Sequence, residues 1–80
     1  MSDLLVQLFA EILELPEEDF SDDTAPENTP KWDSLASMSL VSGMEDRFDV
    51  EFSTMEIMKM RNLGITRKIL TQKGVSFEAE

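Results

Sequence analysis

The chain has 80 residues, 41% of them hydrophobic and 30% charged, with a formal net charge of −10 and neither cysteine nor histidine. This length supports one small core, and the missing residue types exclude disulfides, thiolate catalysis and cysteine-based zinc sites while removing the commonest general base and metal ligand. An autonomous hydrolytic enzyme is therefore not expected, and the negative charge repels nucleic-acid backbones and favours basic protein partners. No apolar run approaches the ~20 residues that span a bilayer, and MSDLLVQLFAEILEL lacks the basic start and cleavage site of a signal peptide. The expectation is a soluble cytoplasmic protein that does not act at a membrane.

Leu4, Leu5, Leu8, Phe9, Ile12, Leu13 and Leu15 recur at three- and four-residue intervals, which predicts a first helix over about 3–14, with Ser2 as its cap. Pro16 ends it, and PEEDFSDDTAPENTPKW reads as a long loop, pinned by Phe20 and Trp32. Asp19, Ser21 and Asp23 alternate like calcium ligands, but Thr24 and Pro30 stand where such a loop needs glycine and a bidentate glutamate. No metal site is expected.

Asp33 can cap a second helix over about 34–47, whose predicted core stripe is Leu35, Met38, Val41, Met44 and Phe48, flanked by Leu40. Gly43 disfavours that helix by roughly 1 kcal/mol against alanine, a loss consistent with close packing there. After an extended connector over 49–52, Ser53 and Glu56 form a capping box opening a short third helix with Met55, Ile57, Met58 and Met60. Thr66 is the expected cap of a last helix carrying Ile69 and Leu70. Gly74 stops that helix, so the domain is expected to span 1–74, with 75–80 a flexible tail. The fold class is all-α, a small four-helix bundle with a long first loop and a short third helix.

The six methionines are expected to fill the core. Charge is uneven: residues 1–30 hold nine acids and no base, while residues 57–73 hold five bases and no acid. The two segments should attract each other, although Arg67 and Lys68 could instead dock an acidic partner.

Ser34 opens the second helix beside Asp33 without a histidine to activate it, and the nearest other candidates for a base are Lys31 and Asp33. It is better suited to accept a modification catalysed by another enzyme, and the helix N-terminus favours an attached anion such as a phosphate. Asp33-Ser34-Leu35 at a helix start, the spaced apolar residues after it, Glu45-Asp46, Phe48-Asp49-Val50 and the Glu51-Phe52-Ser53 connector resemble the acyl carrier proteins. The likeness covers nearly the whole domain. It implies that Ser34 receives 4′-phosphopantetheine from coenzyme A through a magnesium-dependent phosphopantetheinyl transferase, making the chain a phosphoprotein whose added thiol carries acyl groups as thioesters.

The resemblance further implies that Asp33 caps the helix and helps hold magnesium in the transferase complex, and that Leu35 is gripped beside the serine. Met38, Glu45, Asp46, Glu51 and Glu56 would join Leu35 in meeting acyl-loading and acyl-processing enzymes with basic docking patches. Met38, Met44, Ile57, Met58 and Met60 are the candidates for lining an acyl pocket, unless the bundle is fully collapsed and the cargo stays outside. Ala36 and Ser39 stand where the family is commonly acidic, and Trp32 precedes Asp33 where a glycine is common nearby. The Trp32-Asp33-Ser34-Leu35 form is similar to specialised carriers rather than housekeeping ones, serving a fatty-acid-like, polyketide or other specialised biosynthetic pathway. The expected role is thus a monomeric, non-enzymatic acyl carrier. The alternatives are a peptidyl or aminoacyl carrier loaded by an adenylating enzyme, or an unmodified acidic adaptor.

Overall fold

The computed structural model describes residues 3–77. Among them are four α-helices and no strand: α1 (Leu4–Leu13), α2 (Ser34–Phe48), α3 (Thr54–Lys59) and α4 (Leu63–Gln72), with one 3₁₀ turn at Glu17–Asp19. This is the small all-α bundle expected, with its long first loop and short third helix. No helix among the described residues is long and apolar enough to cross a membrane.

α1 supplies the centre of the core, because its apolar residues repeat at helical spacing and bury Leu5, Val6, Leu8, Phe9 and Leu13. Its cap is Asp3, which accepts a hydrogen bond from the Val6 N–H at 3.0 Å; Ser2, the expected cap, lies outside the described residues. The helix closes with Glu14 in the left-handed region, φ 58°, where its N–H donates to the Ala10 carbonyl. A β-carbon on Gly43 of α2 would lie 2.9 Å from the Ile12 side chain, so the small residue does permit close packing of α1 on α2.

The long loop is fastened rather than loose. Phe20 and Trp32 both set ring edges against Phe9, at centroid distances of 6.5 and 5.2 Å. Ser21 and Thr24 bond to each other's ends of a tight turn, and Asn28 accepts from the Ala25 N–H while donating to the Asp23 carbonyl. The carbonyls of Asp22 and Thr24 then accept from the N–H groups of Gly64 and Leu63, at 2.9 and 2.8 Å. Those donors are orphans at the start of α4, so loop and helix satisfy each other.

The cap of α4 is Asn62, whose side chain accepts from the Ile65 N–H at 2.7 Å. Thr66 is instead a fully buried residue of the helix, its hydroxyl donating to the Asn62 carbonyl. The expected cap is thus corrected by one turn, because Leu63 and Leu70 belong to the same buried face as Thr66. Phe77, in the segment after Gly74, makes contacts with the bundle. The Leu4 N–H donates to the Phe77 carbonyl, and the Phe77 ring lies edge-on to Phe48 and beneath the Arg67 guanidinium. Residues 78–80 lie outside the described residues.

The acidic and basic segments meet as expected: Arg67 pairs with Asp3 and, at 3.4 Å, with Asp22. Lys68 is exposed, and none of the described ion pairs includes it. No buried side-chain polar atom among the described residues lacks a partner.

Candidate functional site

α2 begins where the loop hands the chain over. Trp32 is buried and its indole N–H donates to the Ser37 hydroxyl at 2.9 Å, which locks the approach to the helix. Asp33 follows in extended backbone and caps α2 as expected, its carboxylate accepting from the Ala36 N–H at 2.8 Å and its carbonyl from the Ser37 N–H at 2.9 Å. Ser34 is the first helical residue. It is exposed, and its hydroxyl makes no hydrogen bond among the described residues. The N–H groups of Ser34 and Leu35 have no carbonyl one turn back to bond, so a donor pair at the positive end of the helix borders that hydroxyl.

The residues around Ser34 divide differently from the predicted stripe. Leu40 and Met44 are the buried residues of α2, with Val41 and Phe48 half-buried beside them, whereas Leu35 and Met38 are 76% and 70% exposed. Leu35 and Met44 are nine residues apart, about two and a half helical turns, and therefore lie on opposite sides of α2. On α3, Met55, Ile57 and Met58 are exposed as well. The methionines are therefore not mainly core: Met44 is buried and Met60 half-buried, Met38, Met55 and Met58 face solvent, and Met1 lies outside the described residues.

The acidic candidates also divide. Asp46 and Glu51 are exposed and border a shallow hollow with Ser42 and Asp49. Glu45 turns inward to accept from the Phe52 N–H at 2.9 Å, fixing the connector after α2. Glu56 completes the capping box with Ser53 and pairs with Lys73 at 2.9 Å. The Ser53 backbone hydrogen bond, aided by Lys73, holds its carboxyl below the ordinary value of 4.5. Glu45 and Glu56 thus already hold the structure together.

Among the proposed pocket residues, Met44, Ile57 and Met60 wall a cavity of about 40 Å³ between α2, α3 and the core. Met38 and Met58 do not line it. Phe9, Leu40, Val41, Thr66, Trp32 and Ser37 complete its wall, and sequence reasoning missed these as pocket residues, Trp32 and Ser37 included. The signal was their placement: Trp32 pins the loop two residues before Ser34, and Ser37 lies on the α2 side shared by Leu40 and Met44.

The second helix of the bundle thus starts with an exposed serine whose hydroxyl is unbonded among the described residues. Residues 3–64 match the family described as the phosphopantetheine attachment site, and the chain belongs to this family. The domain is the site of covalent 4′-phosphopantetheine attachment, and such carrier domains are generally non-catalytic partners of transferases and other enzymes. No curated protein matches the chain.

Proposed function

We propose that Ser34 is the residue that bears 4′-phosphopantetheine, and that the loaded chain is an acyl carrier for a specialised pathway of the fatty-acid or polyketide kind. One observation carries this reading: Ser34 alone among the serines of the matched span combines a free, exposed hydroxyl with a helix N-terminus. The hydroxyls of Ser21, Ser37 and Ser53 are engaged in hydrogen bonds, and Ser39 and Ser42 lie further along α2, away from its orphan N–H groups.

In the transfer, Ser34 Oγ attacks a phosphorus of the coenzyme A pyrophosphate. An Oγ–P bond forms, the P–O bond to the adenosine bisphosphate breaks, and the serine proton passes to a base on the transferase. Asp33 holds the helix end with one carboxylate oxygen and offers the other to magnesium. Leu35 supplies an apolar grip beside the serine, with Met38, Asp46 and Glu51 on the same exposed surface for later partners. When bound, the arm supplies the thiol on which acyl groups ride as thioesters. Dependence on coenzyme A and a transferase is consistent with a cytoplasmic setting.

Incubation with coenzyme A, magnesium and a broad-specificity transferase tests the assignment by intact mass. Wild type should gain one phosphopantetheine; Ser34→Ala should keep its denaturation midpoint and gain none. Equal modification of the variant would overturn it. The exposed apolar side chains of Leu35 and Met38 also suit the second reading, an aminoacyl carrier, which aminoacyl loading by an adenylating enzyme and ATP would establish.

A further inference from the structure

We propose that Trp32 sets how much of an acyl chain this carrier can shelter, and that the interior accepts a short acyl group of a few carbons and excludes a long one. The inference rests on Ser34 being the attachment residue. The cavity whose walls include Trp32, Ser37, Met44, Ile57, Met60 and Thr66 measures about 40 Å³. That is room for roughly three water-sized groups, and so for about as many carbon atoms. Two of its lining residues lie close to Ser34 along the chain, Trp32 two residues before it and Ser37 one helical turn after it.

Two kinds of wall differ in what they allow. Met44, Met60 and Ile57 are flexible or partly solvated side chains that can shift by a rotamer to admit a slightly larger guest. Trp32 cannot shift in that way. It is 4% exposed, its ring edge rests on Phe9, and its indole N–H is bonded to the Ser37 hydroxyl. A deeper pocket would require the indole to leave, which breaks that hydrogen bond and opens a void against Phe9. The groove outside, where Ile12, Leu35 and Met38 are joined by Ser39, Ser42 and Asp46, is shallow and partly polar and leaves a longer chain to solvent.

The test uses wild type, Trp32→Ala and Ser37→Ala, each loaded from acetyl-, butanoyl- and octanoyl-coenzyme A by a broad-specificity transferase, with loading verified by intact mass. Two readouts follow: the rate of thioester cleavage by hydroxylamine, and, where the indole is present, the resonance of its N–H. On wild type, butanoyl should shift the indole resonance and be cleaved more slowly than acetyl, with octanoyl no better protected than butanoyl. On Trp32→Ala, octanoyl should gain protection on the order of tenfold, the effect of covering about two further methylenes. Should Trp32→Ala lose its fold, Ser37→Ala carries the test, because it frees the indole while keeping its bulk and should give an intermediate gain. Octanoyl already better protected than butanoyl on wild type, or unchanged in the folded variants, would overturn the role of Trp32. Absence of any mass gain would overturn the carrier assignment at Ser34, and this inference with it.

Discussion

The loop over 20–32 and the start of α4 differ sharply from the outer faces of α2 and α3. In the first region the loop is tied down by hydrogen bonds: Asp22 and Thr24 carbonyls hold α4, Asn28 closes its own turn, and Trp32 is bonded to Ser37. In the second, Leu35, Met38, Met55 and Met58 are left to solvent, each more than half exposed. Polar residues therefore build the frame here, and apolar residues supply much of the outer surface beside Ser34. Composition alone would assign them the opposite roles.

The largest test of that division is Phe9→Ala. Phe9 is fully buried and touched by the edges of Phe20 and Trp32, so its loss should destabilise by about 3–5 kcal/mol, a large share of what so small a domain has. Urea unfolding would read it, and a barely shifted midpoint would mean the loop is not pinned on this ring. Gly64→Ala comes next. A β-carbon there would lie 3.0 Å from Asp22 Cβ and 3.1 Å from its carbonyl oxygen, and backbone cannot yield as a side-chain tip can. The strain should outweigh the helical gain and leave a net loss of about 1–2 kcal/mol, checked by thermal melting.

A smaller effect is expected at Glu56. Its folded carboxyl titrates below 4.5, so the stability it contributes is present above that pH and is lost as pH falls through the lower folded value. Glu56→Gln should lower the midpoint at neutral pH and narrow its gap from wild type in acid; parallel pH profiles would show that the charge contributes nothing. Smallest in stability is Leu35→Asp, within about 0.5 kcal/mol of wild type because the residue is exposed. The same change should slow phosphopantetheine transfer on the order of tenfold, as loss of an apolar anchor at a contact does. An unchanged transfer rate would remove Leu35 from the docking surface.

Much of the frame was legible because local chemistry forces it. The spacing in α1, the Asp33 cap, the Ser53–Glu56 box and the stop at Gly74 each act within a few residues. What was illegible depended on tertiary choice. Asn62 and Thr66 are both capping residue types, and only the burial of Leu63 and Leu70 decides between them. α2 carries apolar residues on more than one side, so its three-and-four spacing admits two stripes; the angle between Leu35 and Met44 was the available clue. Glu45 and Glu56 looked like surface acids because the Phe52 N–H and Lys73 that engage them are distant in sequence. Phe77 looked like tail for the same reason, since α1 and Phe48 lie far back along the chain.

Ser34 stands on backbone bridged by two hydrogen bonds of Asp33, whose carboxylate accepts from the Ala36 N–H and whose carbonyl accepts from the Ser37 N–H. Anything joined to its Oγ therefore pivots on a capped helix end, with two rotatable bonds, Cα–Cβ and Cβ–Oγ, between the backbone and the load. The reach of the load is then a sphere drawn about a fixed point, and a visiting enzyme can aim at that point without waiting for the domain to bend.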